Sequence, residues 1–353
     1  MSLSPLEDLP DEILVKLLSF FDIKGVLQCG QVSKRLRKIS NDPRFWLKLN
    51  LFGREVPYGF IEKAIQNGCE YLNLGYCCVH GGEKSEVPWK LKNLEIFQSG
   101  DHEDLMDLDQ GVLENCHFLQ KLAVENLTLN SDEIEQICQN GETLQILSLE
   151  GCNLDFYQRS ELIEKLLKKC PQLTELNIRE GNRGIFSGNT LYDSHVSALV
   201  TNLTPDILKL NLASQQFVTD EHVYTLVRRC NNITELDLSF TDITNDSVKS
   251  IIQHLNRLEK LDVGSTEIDF STLLQLKLIP TLKILRCSFE DKEPPFEEDA
   301  ELIKNLKLQL PHIRINQDYL SIACSTKEIN ESIDQDWFWE IKAKQQDLFP
   351  EAY

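Results

Sequence analysis

The chain has 353 residues, a net charge of −20 at pH 7 and a pI near 4.8. Such acidity makes nucleic acid and anionic membrane poor partners for the surface as a whole, and basic partners easier ones. Apolar residues make up 41%, and no run approaches the roughly 18 apolar residues of a membrane-spanning helix, so an ordinary soluble protein is expected. The length allows a large core in one or two units. The first residues, MSLSPLEDLP, lack the basic start and long apolar run of a secretory signal. The expected setting is the reducing nucleus or cytoplasm, where the 11 cysteines stay thiols.

The first predicted element is a helix in LEDLPDEILVKLLSFF, Leu6 to Phe21. Pro10 suits a first turn, and Asp11 and Glu12 suit the positive end of the helix. Ile13, Leu14, Leu17, Leu18 and Phe21 fall on one stripe at helical spacing. Val15 and Phe20 lie off it, so the helix is apolar on more than one side. Residues 22–52 come next, with Val26, Leu27, Val32, Leu36, Ile39, Phe45, Trp46 and Leu49, punctuated by Gly25 and Gly30. Three helices of about 45 residues form too small a unit to hide all of these. A partner must cover what remains.

This stretch resembles the F-box family. Leu9, Pro10, Glu12, Ile13 and Leu14 stand as its Leu-Pro-x-Glu-Ile-Leu start. Val32, Ser33, Lys34 and Arg35 stand as its turn into a helix, and Asp42 with Trp46 as its end. The resemblance implies docking on the small adaptor subunit of an SCF ubiquitin ligase, and through it on the cullin and the RING protein. The adaptor-binding residues it implies are Leu9, Pro10, Glu12, Ile13, Leu14, Leu17, Leu18, Leu27, Val32 and Trp46. The alternative is a helical cap for the rest of the chain, but a cap needs no Leu-Pro-x-Glu-Ile-Leu start.

From residue 69 the pattern L-x-x-L-x-L recurs, each time with a helical stripe after it. Strong copies start at Leu91, Leu119, Leu144, Leu173, Ile207, Ile233, Leu258 and Leu282, at intervals of 24 to 34 residues. A weaker copy starts at Cys69, and HIRI closes the series at His312. This is the leucine-rich-repeat period. The expected fold class is α/β: a horseshoe solenoid of about ten repeats with parallel concave strands and outer helices, preceded by a small all-α three-helix F-box. The expected domains are 6–52 for the F-box, 53–68 for a linker helix or cap, 69–315 for the repeats and 316–353 for a tail packing on them. Leu162, Ile163, Leu166 and Leu167 form one helical stripe; Val223, Leu226 and Val227 form another, and Val248, Ile251, Ile252 and Leu255 a third. Cys116, Cys138, Cys170 and Cys230 end such stripes, where a small buried residue is wanted. Cys77-Cys78-x-His80 lacks the second ligand pair a structural zinc needs, so core or loop packing is expected there. GNRGIFSGNT at 181–190 reads as a loop insertion, either a binding loop or a tolerated excursion. The acidic stretch at 289–301 reads as a solvated loop.

In the tail, Trp337, Trp339 and Ile341 alternate with Phe338, Glu340 and Lys342 at a strand-like period. Either they seal the open end of the solenoid, or the tail returns along the concave face and helps build a partner surface.

TLVRRCNN (225–232), LDLS (236–239), IPTLK (279–283), LPHIRIN (310–316) and WEIK (339–342) resemble the S-phase kinase-associated class of F-box leucine-rich-repeat proteins. That resemblance implies recruitment of phosphorylated cell-cycle regulators, with help from a cyclin-kinase-associated accessory protein. The candidate contacts are Arg179, Lys209, Phe240, Lys260, Arg286, Trp337 and Trp339. The class grips its accessory protein with a Trp, two Arg and an Asp just past several strands; Glu180, Gln216, Ser265 and Phe240 stand there in this chain. It also carries a long segment before the F-box, where this sequence has five residues. No phosphate-binding, nucleophile-elbow or zinc-protease motif is present, so no catalysis and no cofactor are expected.

Overall fold

The computed structural model describes residues 9–75, 77–80, 89–97, 112–154, 159–180, 191–287 and 297–316. Trp337, Trp339 and the rest of the tail lie outside the described residues, as do the loop at 181–190 and residues 289–296. The chain divides into two units, Met1–Gln120 and Lys121–Tyr353.

The first unit opens with three short helices, α1 (Asp11–Leu18), α2 (Ile23–Val32) and α3 (Lys34–Ser40). Pro10 precedes α1 in an extended conformation, and its carbonyl accepts from Ile13 N and Leu14 N at 3.1 Å. The Asp22 carboxylate accepts from Gly25 N at 2.8 Å, and the Ser33 hydroxyl from Leu36 N at 3.2 Å, which satisfies orphan N–H groups of α2 and α3. A Cβ on Gly30 would lie 2.5 Å from Ser40 Oγ, so only glycine lets α2 and α3 approach this closely. Arg35 ties α3 to α1: its Nη2 donates to Asp11 Oδ1 at 2.6 Å and to the Leu9 carbonyl at 2.5 Å. Leu14, Val15, Leu18, Val26 and Ile39 form the core, with Leu9, Cys29, Leu36 and Phe45 packed against it.

The same unit continues with β1 (Lys48–Asn50), β2 (Glu55–Pro57), α4 (Tyr58–Gln66), β3 (Tyr71–Asn73), β4 (Cys78–His80) and β5 (Asn93–Phe97). β1, β3 and β5 pair in parallel with Leu49, Leu72 and Leu94 in one row. The strand layer thus starts before the repeat expected at Cys69. The unit missed by the leucine template reads Trp46-x-x-Leu49-x-Leu51, with Trp46 in the place of the leading leucine. Residues 53–68, expected as a linker helix, hold the rest of that repeat. Trp46 is fully buried; its Nε1 donates to the Ser40 carbonyl at 2.9 Å, its ring lies 5.9 Å from that of Phe60, and Lys63 Nζ sits 5.5 Å from it.

The second unit holds β6 (Lys121–Glu125), β7 (Thr128–Leu129), α5 (Ser131–Cys138), β8 (Ile146–Ser148), β9 (Asn153–Leu154), α6 (Arg159–Lys169), β10 (Glu175–Asn177) and α7 (Asp193–Asn202). It goes on with β11 (Lys209–Asn211), α8 (Asp220–Arg229), β12 (Glu235–Asp237), α9 (Asn245–His254) and β13 (Lys260–Asp262). A short α10 (Phe270–Leu273), β14 (Ile284–Arg286), α11 (Glu297–Gln309) and β15 (Arg314–Ile315) complete it. Eight strands, from β6 and β8 to β15, pair in parallel. Leu122, Leu147, Leu176, Leu210, Leu236, Leu261, Leu285 and Ile315 stand in one register row and are all buried. A fully buried leucine contributes about 1.5–3 kcal/mol. No single repeat could bury this row alone, and each does so against its neighbours. The helical stripes are buried as expected, apart from Ile252, which is half-buried.

Each repeat ends its strand the same way. The side-chain oxygen of Asn177, Asn211, Asp237 or Asp262 accepts the N–H two residues on, at 3.0–3.1 Å. One residue further, the chain turns left-handed at Gly151, Ser214, Phe240 and Ser265. There the N–H bonds to the next repeat: Ser214 N to Ser239 O at 2.8 Å, and Phe240 N to Gly264 O at 2.9 Å.

The cysteines are packing residues. Cys116, Cys138, Cys170 and Cys230 are buried, and burial pushes the Cys138 thiol up to about 11 and those of Cys170 and Cys230 to about 12. Cys77 Sγ donates to the Leu51 carbonyl at 2.8 Å. Among the described residues no group of three or more Cys, His, Asp or Glu could hold a metal ion.

Candidate partner surfaces

The stripe expected along α1 is split by the fold. Leu14, Val15 and Leu18 face the core, while Ile13 and Leu17 face out. Successive helical residues turn by about 100°, so the Leu14–Leu18 and Ile13–Leu17 pairs lie on adjacent sides. Just past the helix, Phe20 is 80% exposed and Phe21 is 56% exposed. Val32, at the end of α2, is 79% exposed. Scattered exposed apolar residues are ordinary, but five large ones on a three-helix bundle mark an interaction face.

The expected adaptor residues therefore fall into three groups. Pro10, Glu12, Ile13, Leu17 and Val32 are exposed, and Leu9 and Leu27 are half-buried. Leu14, Leu18 and Trp46 are buried in this chain, so they cannot touch a partner while the unit stays folded. Their role is to hold the docking helices in place. Phe20 and Phe21 were missed as contacts. The signal was available: Phe20 lies off the core stripe.

The second surface is the outer face of the strand layer. Residues at the first position of each strand alternate in charge across the register: Glu175 beside Lys209, Lys209 beside Glu235, Glu235 beside Lys260. Lys209 Nζ lies 3.5 Å from Glu175 Oε1 and 3.6 Å from Glu235 Oε1, and Lys260 Nζ lies 3.1 Å from Glu235 Oε2. Arg286 Nη1 lies 3.7 Å from Asp262 Oδ2. Three of the four candidate cations are thus neutralised by the chain's own carboxylates. Arg179 makes no close ion pair among the described residues; its positive field reaches the buried Asp237 and Asp262. The Asp237 carboxyl is pushed up to about 7, by burial first and by Asp262 second.

Phe240 is the strained member of this surface. Its φ is 56°, a left-handed conformation that bulky residues avoid, and its side chain is 37% exposed. Glu180, Phe240 and Ser265 occupy one column, since each N–H there bridges to, or stands beside, the next repeat in the same way. Gln216 does not join them: the column residue in its repeat is Ser214. Replacing Phe240 by Asn, which tolerates φ near +60°, should leave the melting temperature unchanged or raise stability by about 1 kcal/mol. Val in its place should lower stability, because its branched Cβ adds to the strain. A thermal melt of both variants checks this; a large loss in the Asn variant would show that the ring is a core residue.

The comparisons with known proteins bear on both surfaces. Residues 6–51 match the family model described as F-box-like, and residues 59–346 match the one described as SKP2 LRR domain. Among solved structures, an internalin (inlF) from Listeria monocytogenes is 18% identical, with a TM-score of 0.41 over 71% of this chain. This chain spans 62% of the internalin's length. Leiomodin-1 actin-binding site 2 is 16% identical, with a TM-score of 0.30 over 54% of this chain and 97% of its own. The family matches span nearly all of the described residues, with the three-helix bundle in the first and most of the strand layer in the second. The chain belongs to the family of F-box proteins with an SKP2-type leucine-rich-repeat domain.

Proposed function

We propose that this chain is a substrate-recognition subunit of an SCF-type ubiquitin ligase. The observation that carries it is the exposed apolar face of Ile13, Leu17, Phe20, Phe21 and Val32 on an F-box whose own core is already filled. An adaptor of the Skp1 type would cover that face and link the chain to cullin and RING protein. F-box proteins are generally non-catalytic subunits, and this one would act by holding a substrate beside the conjugating enzyme, which raises its effective concentration. A leucine-rich scaffold acting without a ligase would have no use for the face.

The finer reading is that the repeats and tail recruit phosphorylated cell-cycle regulators, in the nucleus or cytoplasm, for ubiquitination and proteasomal degradation. The strand face offers little free positive charge, and Arg179 is the cation best placed to meet a phosphate. The remaining charge would come from the accessory protein. Two measurements test this. The full chain, mixed with adaptor, cullin and RING protein, should form one stable complex; failure to do so would sink the ligase reading. A phosphopeptide titration should show tight binding only with the accessory protein present, and Arg179→Glu should weaken it by over 1 kcal/mol, since charge-assisted hydrogen bonds are worth about 1.5–3 kcal/mol. Tight binding without the accessory protein would overturn the accessory-dependent reading.

A further inference from the structure

The charge of the F-box runs against that of the chain. Residues 9–54 hold nine Lys and Arg against four Asp and Glu, in a chain of net charge −20. Several of the nine are engaged locally. Arg35, Arg44 and Arg54 pair with Asp11, Asp42 and Asp22, and Lys48 Nζ lies 4.9 Å from the Tyr71 ring. Lys24, Lys34 and Lys38 are exposed and have no ion pair among the described residues.

Two of these three sit where helix physics disfavours a cation. Lys24 is the second residue of α2 and Lys34 the first of α3, and neither helix has an acidic residue in its first turn. The unpaired N–H groups there carry partial positive charge, so glutamate is the better local choice. Residues that break a local rule are expected at functional sites.

Both lysines border the apolar face. Phe21 packs against Gly25, with its Cβ 3.0 Å from the place of a glycine Cβ, which puts Lys24 beside Phe21. Lys34 comes two residues after Val32, and the adjacent Arg35 reaches Asp11 and Leu9 at the start of α1. Lys38 lies one turn further along α3.

We propose that Lys24, Lys34 and Lys38 form a basic rim that steers an acidic protein surface onto the apolar face of the F-box. The inference rests on the adaptor reading and adds the partner's chemistry: an apolar groove bordered by carboxylates. Rim charges act on the association rate more than on the dissociation rate. A nucleic acid would also answer to lysines, but it has no use for the exposed Ile13, Leu17, Phe20, Phe21 and Val32 between them.

The test is the association rate of purified adaptor with the full chain, across ionic strengths. The parent rate should fall steeply with salt. A Lys24→Glu, Lys34→Glu, Lys38→Glu variant should associate about tenfold or more slowly at low salt, with a near-parental dissociation rate. Its melting temperature should hold or rise, because two of the new glutamates sit in first turns. An adaptor that binds parent and variant alike, at a salt-independent rate, would overturn the rim and leave the adaptor reading intact. An adaptor that fails to bind the parent would overturn both. A labelled DNA duplex that binds the parent as tightly as the adaptor does would replace the acidic protein by a general polyanion, and so overturn the proposal.

Discussion

Glutamate at both Ile13 and Leu17 should abolish adaptor binding while the melting temperature stays near that of the parent. Both side chains are already substantially exposed, 44% and 40%, so a charge there meets water in the free protein. In the complex the same charges would be buried in an apolar groove without a counter-ion, which is strongly unfavourable. Apolar anchors at interface centres commonly cost 2 kcal/mol or more when merely truncated. Two charged replacements should lower affinity by about a thousandfold or more. Leu14→Ala and Trp46→Ala make the opposite pattern. Both residues are buried, so each should destabilise the first unit by about 2–5 kcal/mol and lose binding only through unfolding. Calorimetric titration beside a thermal melt separates the two classes. Full-affinity binding by the Ile13→Glu, Leu17→Glu chain would mean that the adaptor docks elsewhere.

That contrast shows what the amino-acid sequence could and could not say about the docking face. The α1 residues are apolar on two adjacent sides, and periodicity alone does not tell which side folds inward. Val26 and Ile39, on the other two helices, decide it by filling the groove against Leu14, Val15 and Leu18. A family motif does not decide it either, because Leu14, Leu18 and Trp46 serve the fold while Pro10, Ile13 and Leu17 face out, and the motif holds both kinds. The repeats were far more legible. Burying one leucine per strand between neighbours forces a fixed period, and a fixed period can be counted. The unit that escaped has Trp46 as its leading residue, and a tryptophan fills that place without matching a leucine template. The strand charges were legible as a set but not as pairs. Glu175 and Lys209 lie 34 residues apart across the longest interval, yet the register sets them side by side. The left-handed backbone at Phe240 had only an indirect signal, the Gly151, Ser214 and Ser265 of the same column.

Replacing Asp237 by Asn should raise the stability of the second unit at about pH 8 and change little near pH 4. Asp237 is buried, and its carboxyl is pushed from 3.8 up to about 7 by burial and then by the charge of Asp262. The group is therefore harder to ionise in the folded chain than in the unfolded one. Its contribution to stability is fully present below about pH 4 and is lost as pH rises through about 7. Above that range the folded chain holds a buried carboxylate, which the fields of Arg179 and Arg286 offset only in part. Asparagine removes the charge and keeps the shape. Its Oδ1 can still accept from Ser239 N, now at 3.0 Å, and from Ser239 Oγ, now at 2.7 Å. Asn177 and Asn211 already fill this position in the two preceding repeats, with the same turn. The expected gain at pH 8 is roughly 1–3 kcal/mol, less than the full shift would give because Asp262 shares the burden. Asp262→Asn should gain less, since the Asp262 carboxylate has Arg286 Nη1 3.7 Å away and that attraction would be lost. Urea midpoints of parent and variant, measured across pH, check the assignment. The two curves should meet in acid and separate above about pH 5. Parallel curves would mean that another group titrates. A carboxylate retained here against stability, on the one face of the second unit where strand residues point outward, fits a group kept for a partner.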